Sequence, residues 1–256
     1  TDNRRQRQMC IRDRYKPNFV VNFAAETHVD NSINNPDLFL DVNTKGTLNL
    51  LGEAKKLWVD DENNLKVPYR KSIFYQISTD EVFGSLSNAN SFDEQSSYSP
   101  KSPYSASKAG ADHFVQAFYK TFNLPTVISY SSNNFGPYQN EEKLIPKIIS
   151  CVKKNKDIPL YSDGTNVRDW IFVDDHCKAV NLILEKGKPG GVYCIGGSNE
   201  MSNLEICKLI LEIIDTIIPC KNHNKHMDKI KFVKDRKGHD FRYSPVSYTH
   251  LRAHET

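Results

Sequence analysis

The chain has 256 residues, 25% of them charged, which is the composition of a globular protein rather than a disordered one. The net charge of +3 comes from residues 1–14, which hold five arginines and two aspartates, so the neutral remainder gives no sign of nucleic-acid binding. No apolar run approaches the roughly 18–20 residues that a membrane-spanning helix needs. Six scattered cysteines without a C-x-x-C pair indicate reduced thiols in a cytoplasmic protein.

The two ends of the sequence lack the hydrophobic periodicity of the middle. Residues 1–14 and 247–256 resemble translated adapter sequence, as on a gene that was cut at both ends. We therefore expect both segments to be non-native tails that pack against nothing.

Between the ends, short apolar runs alternate with stretches of helical spacing. Strands are predicted at 15–25, 72–78, 124–132, 170–173 and 192–195, and helices at 36–58, 103–122, 142–154, 174–186 and 203–217. This alternation predicts an α/β fold with a doubly wound parallel sheet, in which ligands bind beyond the carboxyl ends of the strands.

A tyrosine and a lysine four residues apart, Tyr104 and Lys108, begin the helix predicted at 103–122. This spacing places both side chains on one helix face, one turn apart. A nearby ammonium lowers the pKa of a tyrosine, which can then accept a proton from a substrate hydroxyl while hydride leaves its carbon. On its own, the Y-x-x-x-K spacing also arises by chance on exposed helices.

Polar residues also follow the strands on either side of this helix. Thr79, Asp80 and Glu81 come directly after one strand, and Asn133 and Asn134 follow the next. Neighbouring carboxylates suit general acid and base roles because proximity separates their pKa values, although acidic pairs are also common in solvated turns. Polar groups at three successive strand ends predict one active site at the carboxyl edge of the sheet.

Several segments resemble motifs of the dTDP-glucose 4,6-dehydratases, a group of the extended short-chain dehydrogenase/reductase family. They are FAAETHVDNSI, STDEVFG, SPYSASKAGADH, SNNFGPYQNEEKLIP, VRDWIFVDDH, YCIGGSNEMSN and DRKGHDFRY, and they extend from about residue 19 to residue 243. The resemblance implies a Rossmann-like sheet that lacks its amino-terminal strands, a smaller carboxyl-terminal substrate domain, NAD as cofactor and dTDP-glucose as substrate. The Asp-Glu pair distinguishes these dehydratases from epimerases and reductases that share only Y-x-x-x-K.

The resemblance also implies a role for each catalytic residue. Tyr104 would deprotonate the sugar 4-hydroxyl while NAD accepts hydride from C4, and Lys108 would lower the pKa of Tyr104 and bind the nicotinamide ribose. Thr79 would hydrogen-bond the 4-hydroxyl. Glu81 would remove the C5 proton and Asp80 would protonate the departing 6-hydroxyl. Hydride would then return to C6, which regenerates NAD and gives a 4-keto-6-deoxy sugar.

The binding residues are implied in the same way. The cofactor would contact Phe23, Ala24, Ala25, Glu26, Thr27, Tyr104, Lys108 and Asn134. The nucleotide sugar would contact Thr27, Thr79, Asn133, Lys143, Leu144, Pro159, Leu160, Tyr161, Arg168, Asn203, Asp235, Arg236, Lys237, Gly238 and His239. Guanidinium groups suit this role because they pair bidentately with phosphate oxygens, although either arginine alone would as readily form a salt bridge.

The sequence departs from the family pattern in several places. The G-x-x-G-x-x-G turn that binds the pyrophosphate and the acidic residue for the adenine ribose are not in these 256 residues, so we expect weak NAD binding and weak or no activity. Phe83 and Phe135 replace the usual tyrosines, and Lys237 replaces a proline.

The family layout predicts the domain organisation and the oligomeric state. A partial NAD-binding domain would occupy 15–134, with 168–196 returning to it, and a substrate domain would comprise 135–167 and 197–246. Members of the family usually dimerise through two long helices, here 36–58 and 103–122.

Four other interpretations remain open. The chain could be a nucleotide-sugar decarboxylase or epimerase, which the Asp80–Glu81 pair disfavours, or an inactive nucleotide-sugar-binding remnant, which the intact catalytic residues disfavour. Cys220, His223 and His226 have a zinc-like spacing, but a fourth ligand is not evident, so we expect no metal. The helix predicted at 203–217 could bind a partner, although core packing explains its amphipathic pattern.

Overall fold

The computed structural model describes residues 12–86, 90–218 and 226–246. The strands are β1 (Phe19–Asn22), β2 (Ile73–Thr79), β3 (Thr126–Ser131), β4 (Asn133–Phe135), β5 (Ile158–Tyr161), β6 (Val167–Phe172), β7 (Val192–Ile195), β8 (Glu200–Ser202), β9 (Ile230–Val233) and β10 (Arg242–Tyr243). The α-helices are α1 (Val29–Asn34), α2 (Pro36–Phe39), α3 (Gly46–Trp58), α4 (Pro103–Phe122), α5 (Leu144–Lys153), α6 (Val173–Lys186) and α7 (Asn203–Ile217).

The main sheet has the order β1-β2-β3-β7, and every neighbouring pair is parallel. Successive strand residues face opposite sides. Phe74 and Ile128 pack in one core with residues of α3 and α4, whereas Tyr75 and Val127 pack in another with residues of α6. The sheet is therefore covered by helices on both faces, and the predicted doubly wound α/β class is confirmed.

Helix α4 has a clear start and stop in its sequence. Ser102 caps the amino end in a capping box with Ser105, and Pro103 stands at the first turn, where its missing N–H costs nothing. Asn123 ends the helix in the left-handed conformation, with φ of 53°. These signals position Tyr104 and Lys108 in the first two turns, directly beside the end of β2.

A second region is built from the remaining strands. β6 pairs with β4 and β10 in parallel and with β8 in antiparallel orientation, while β5 pairs with β9. Helices α5 and α7 pack together over a core that includes Ile148, Ile158 and Leu211. This region stands at the carboxyl edge of the main sheet, because β4 follows β3 with only Ser132 between them.

The predicted elements are found with small shifts of their ends, and 103–122 and 203–217 match residue for residue. Three differences are informative. The helix predicted at 36–58 contains a π-helical stretch, Leu40–Lys45, and the strand predicted at 170–173 belongs to the second region rather than to the main sheet. The short strands β4, β5, β8, β9 and β10 were not predicted, because runs of two to four residues carry no readable periodicity.

The predicted tails lie largely outside the described residues. Of the first segment, residues 12–14 are described, and Arg12 contacts the fold through a 2.6 Å ion pair with Glu53. The expectation that residues 1–14 pack against nothing is therefore wrong for Arg12. Across the described ranges, no helix has both the length and the hydropathy needed to cross a bilayer.

Candidate active site

The predicted acid–base residues lie where β2 ends. Thr79 is the last residue of the strand, and a 3-10 turn over Asp80–Phe83 follows at once. The Thr79 hydroxyl accepts a hydrogen bond from the Glu81 amide at 3.3 Å and donates one to Asp80 at 3.3 Å. Gly84 closes the turn with φ of 78°, where a Cβ would lie 2.4 Å from the Ser99 carbonyl oxygen. This turn therefore fixes the positions of Asp80 and Glu81 relative to the end of β2.

Asp80 is buried, with 1% of its surface exposed, and its Oδ2 has no hydrogen-bond partner among the described residues. Burial and the neighbouring Glu81 raise the pKa of Asp80 to about 8. Its carboxyl group is therefore protonated near pH 7 and has an oxygen free to donate a proton. This is the state that a general acid requires.

Glu81 has a different electrostatic environment. Burial raises its pKa as well, but Arg236, Arg168 and Lys143 all face it and oppose that rise. For Asp80, Arg168 opposes the rise, while Glu81 and Asp169 add to the effect of its burial. The cations that face Glu81 favour its ionised form, so Glu81 is the member of the pair suited to the role of base.

Tyr104 and Lys108 face this turn from α4, and both are buried. The phenol of Tyr104 interacts with Thr79 by a hydrogen bond and with the charge of Glu81. Burial and Glu81 raise the pKa of Tyr104, so the lowering that we expected from Lys108 is not observed. Lys108 instead donates to the carbonyl oxygen of Ile77 at 2.8 Å, and burial lowers its own pKa.

The segment 23–27 leaves the end of β1 and runs beside this helix. Asn43, in the π-helical stretch, accepts from the Glu26 amide at 2.8 Å and donates to the Glu26 carbonyl at 3.0 Å. The same side chain donates to the Ser107 hydroxyl at 2.9 Å, and Ser107 donates to the Tyr104 carbonyl at 2.7 Å. The implied cofactor segment is therefore tied to the helix that carries Tyr104.

Several predicted nucleotide-binding residues converge on the same cleft. Arg168 is held by the carbonyl oxygens of Asp240 and Phe241, at 3.0 and 3.2 Å, and its guanidinium stacks on the Tyr243 ring at 4.4 Å. Arg236 faces Glu81, and its Nε has no hydrogen-bond partner among the described residues. This leaves Arg236 with a donor to offer, whereas Arg168 is fixed by the protein itself.

Two contacts bring the second region onto the segment after β1. Lys143 donates to the carbonyl and hydroxyl oxygens of Thr27, at 3.1 and 3.0 Å. The Tyr161 hydroxyl donates to Asp30 at 2.7 Å, and its ring meets that of His239 edge to face at 6.0 Å. His239 in turn pairs with Asp235 at 2.6 Å.

Other predicted binding residues are less directly placed. Leu160 is 2% exposed and packs in the core, and Leu144 contacts the core between α5 and α7. Asn203 starts α7, and its backbone N–H donates to the carbonyl oxygen of Asn166. Asn133 of β4 pairs with Trp170 of β6 in the sheet. Asn134 is partly buried, and its Oδ1 lacks a partner among the described residues. Pro159, Lys237 and Gly238 are exposed, and Gly238 has φ of 66°.

Sequence reasoning missed three residues that hold the site together: Asn43, Asp112 and Tyr243. Asp112 follows Lys108 by one helical turn, so the four-residue spacing within SPYSASKAGADH was a signal for it. Asn43 and Tyr243 act from distant parts of the chain, and only the fold brings them together with Glu26 and Arg168.

The zinc hypothesis rests mostly on residues that are not described, since Cys220 and His223 lie outside those ranges. His226 is described, and it pairs with Asp215 of α7. Among the residues that the structure covers, no group of three or more potential metal ligands comes together.

Comparison with known proteins identifies relatives of this chain. The family model described as GDP-mannose 4,6 dehydratase matches residues 3–251. A dTDP-glucose 4,6-dehydratase of Haemophilus influenzae is 48% identical over 91% of this chain and 69% of its own length, and one of Escherichia coli is 43% identical over 90% and 66%. Overall, the chain spans about two thirds of the length of the relatives that it matches.

Solved structures show the same likeness. The dTDP-glucose 4,6-dehydratase DesIV of Streptomyces venezuelae, with NAD and TYD bound, superposes with a TM-score of 0.82 at 37% identity, over 95% of this chain and 68% of its own. A Bacillus anthracis dTDP-glucose 4,6-dehydratase in complex with NAD gives 0.76 at 40% identity, over 95% and 68%. A Thermus thermophilus UDP-glucose 4-epimerase gives 0.83 at 23% identity, over 98% and 76%, which shows the shared fold alone.

The class that these findings define is that of the nucleotide-sugar 4,6-dehydratases with a Rossmann-like sheet. Within that class, the chain belongs to the dTDP-glucose 4,6-dehydratase family. The resemblance drawn from the sequence motifs is thereby confirmed.

Proposed function

We propose that the protein dehydrates dTDP-glucose to dTDP-4-keto-6-deoxyglucose with NAD as a resident cofactor. The observation that carries the proposal is the pair Asp80–Glu81 at the end of β2, in which one carboxyl group is protonated near pH 7 and the other faces three cations. An acid and a base side by side are what the elimination of water requires. The substrate follows from the relatives, which are dTDP-glucose 4,6-dehydratases.

The residues present fit the nicotinamide half of NAD. The segment 23–27 is fixed beside Tyr104 by Asn43, and the buried amide oxygen of Asn134 lacks a partner among the described residues, so it can accept from a carboxamide. When bound, NAD supplies the acceptance and return of one hydride. Phe23 to Thr27, Tyr104, Lys108 and Asn134 would hold it. The glycine-rich turn for the pyrophosphate is not in these residues.

Tyr104 acts on the 4-hydroxyl of the sugar. Its phenol lies beside Thr79, whose hydroxyl has already been shown to bond Glu81 and Asp80. As C4 is oxidised, Tyr104 accepts the hydroxyl proton, and the carbonyl that forms acidifies the proton on C5. Lys108 donates to Ile77 in this structure, and we propose that its ammonium favours the phenolate form of Tyr104 once substrate and cofactor are bound.

The acidic pair then removes water. Glu81 accepts the C5 proton, and Asp80 donates a proton to the 6-hydroxyl as the C6–O bond breaks. Glu81 then returns its proton to C5, and Tyr104 passes on the 4-hydroxyl proton to replace the one that Asp80 gave. With the hydride that bound NAD would return at C6, the product differs from the substrate by one water, with no net oxidation. Burial of Asp80 matters because it keeps the acid protonated at neutral pH.

The basic side chains at the cleft hold the nucleotide diphosphate. Arg236 has a free donor, Arg168 presents a fixed guanidinium, and Lys143 adds a third positive charge near Glu81. Guanidinium groups bind phosphate oxygens in pairs. The proposed nucleotide-sugar site is completed by Thr27, Thr79, Asn133, Asn203, Tyr161 and His239, with the segments 143–144, 159–161 and 235–239.

The proposed organisation follows the family. Residues 15–134 and 168–196 form the partial NAD-binding domain, and 135–167 with 197–246 form the substrate domain. Strand β6, at the start of 168–196, departs from this division because it pairs with strands of the second region. We also propose a homodimer through α3 and α4, because Phe114 and Tyr119 of α4 are exposed at 40% and 36%. A cytoplasmic location fits the four described cysteines, which are free thiols.

Mass spectrometry of the nucleotide sugar tests the function. The assay uses the chain as printed and an extended chain, which carries at its amino end the corresponding segment of the Haemophilus influenzae relative. With dTDP-glucose and NAD, the extended chain should yield a product that has lost one water, and UDP-glucose and GDP-mannose should react more slowly. An isomerised sugar of unchanged mass would support an epimerase instead.

A further inference from the structure

Asp112 is a buried carboxylate that none of the proposed steps uses. It lies on α4 one turn beyond Lys108, and none of its surface is exposed. Its Oδ2 accepts a hydrogen bond from the Ser78 hydroxyl, and the Gln76 amide faces the carboxyl group without meeting hydrogen-bond geometry at Oδ1. Burying such a group costs free energy unless a charge compensates it.

Lys108 is the cation that faces Asp112. Its ammonium is also buried, at 4% exposure, and donates to the neutral carbonyl oxygen of Ile77. Burial lowers the pKa of Lys108 and the charge of Asp112 opposes that change, while burial raises the pKa of Asp112 to about 7 and Lys108 opposes that rise. Each group therefore favours the charged form of the other across one turn of α4, without a direct ion pair between them.

The other titratable groups around Asp112 cannot take this role. The phenols of Tyr98 and Tyr130 face it from the loop before α4 and from β3, and Tyr104 faces it from its own helix. Burial raises the pKa of all three phenols, so they are neutral at pH 7. The remaining neighbours on β2, Ser78 and Gln76, are uncharged.

The two contacts also connect α4 to β2 at adjacent residues. Lys108 bonds Ile77 and Asp112 bonds Ser78, which directly precedes Thr79 and the acid–base pair. Resting on the proposed dehydratase function, we propose that Asp112 is a positioning residue for the oxidation step. It keeps the Lys108 ammonium charged inside the protein and, through Ser78, holds the Tyr104 helix against the end of β2.

The direct test is the protonation of Lys108, which can be measured without turnover. In the chain as printed, labelled with lysine carrying ¹³C at Cε, the Lys108 resonance is assigned by its loss in Lys108→Met and followed against pH. Asp112→Asn should lower the midpoint of the Lys108 titration by about one unit or more, because an opposite charge nearby shifts a pKa by about 1–3 units. Asp112→Glu, which keeps the charge, should restore most of the difference. An unchanged midpoint in Asp112→Asn would overturn the proposal.

The parent chain provides a second measurement if Asp112→Asn does not fold. Since the pKa of Asp112 is about 7, the Lys108 resonance should show an additional inflection near that pH as the carboxyl group ionises. A Lys108 curve that is flat across this range would mean that the two groups are not coupled, and the proposal would be wrong.

A kinetic measurement separates action through Lys108 from direct action on Tyr104. In the extended chain, Asp112→Asn should slow single-turnover oxidation of dTDP-glucose about tenfold or more and move its pH profile to higher pH, because a neutral Lys108 no longer favours the phenolate. A shift to lower pH would show that the charge of Asp112 acts on Tyr104 directly, which contradicts the proposal. If the parent does not turn over dTDP-glucose, the proposed function fails while the lysine titration still decides the coupling.

Discussion

Asn43 holds Glu26 by two hydrogen bonds, one from the Glu26 amide and one to its carbonyl oxygen. The Asn43 side chain is 1% exposed, and its amide nitrogen also donates a hydrogen bond to the Ser107 hydroxyl of α4. One amide thus fixes the proposed cofactor segment against the helix of Tyr104, and each of its polar atoms is satisfied. Such a buried, fully paired amide is costly to remove.

Asn43→Leu should therefore destabilise the chain by about 1–3 kcal/mol, because it leaves partly buried backbone groups of Glu26 without partners. Urea unfolding measures this free energy. Asn35→Ala is a suitable control, since Asn35 makes no side-chain cap bond at the start of α2. Equal stability of the Asn43 variant and the control would contradict the role given to Asn43.

The stability of the protein should depend on pH through Asp80. Its pKa is raised from 3.8 to about 8 on folding, so its contribution to stability is fully present below pH 3.8 and is lost as pH rises through 8. Asp80→Asn cannot ionise. Between pH 5 and pH 8, the free energy of unfolding of the parent should therefore fall by about 2–4 kcal/mol relative to that of Asp80→Asn.

Urea unfolding of both proteins at the two pH values measures this difference. Asp61→Asn is the matched control, because Asp61 is an exposed carboxyl group in the turn after α3, and its difference from the parent should stay within about 0.5 kcal/mol. A pH-independent difference between Asp80→Asn and the parent would show that Asp80 is ionised at neutral pH and is no general acid.

The two arginines of the cleft should respond differently to substitution. Arg236→Met removes a guanidinium with a free donor, so it should weaken dTDP binding about tenfold or more with little loss of stability. Arg168→Met should also destabilise the fold, since it removes one of the two donors to each of the carbonyl oxygens of Asp240 and Phe241 and the stacking on Tyr243.

Isothermal titration with dTDP and urea unfolding together separate these effects. Lys234→Met, a change of an exposed charge directly before the same loop, should alter both quantities only slightly. If Arg236→Met binds dTDP as tightly as Lys234→Met does, the diphosphate does not lie beside Arg236.

Binding of NAD should distinguish the chain as printed from the extended chain. The backbone N–H groups of a glycine-rich turn at a helix start supply much of the affinity for a pyrophosphate. The extended chain should therefore bind NAD at least about a hundredfold more tightly, as measured by calorimetry. Similar affinities would mean that residues 23–27, Tyr104 and Lys108 suffice, against our expectation.

The sequence predicted the main sheet well because its strands and helices are long enough to carry a period. Tyr104 with Lys108, and Asp80 with Glu81, were found because four-residue and adjacent spacings translate directly into geometry. The reversed pKa direction of Tyr104 could not be predicted, since it depends on burial beside Glu81, a residue on another element. The support that Arg168 receives from Tyr243 likewise needs a contact across 75 residues, which no local pattern records.

The central claim is that Glu81 and Asp80 remove water after Tyr104 has taken the 4-hydroxyl proton. The most direct measurement follows dTDP-glucose deuterated at C5 by mass spectrometry during a single turnover of the extended chain and its Glu81→Gln and Tyr104→Phe variants. We predict that Glu81→Gln still oxidises the sugar, seen as absorbance of the reduced nicotinamide, but retains deuterium at C5 and releases no water, whereas Tyr104→Phe is blocked before oxidation. Loss of water by Glu81→Gln at the parent rate would contradict the account.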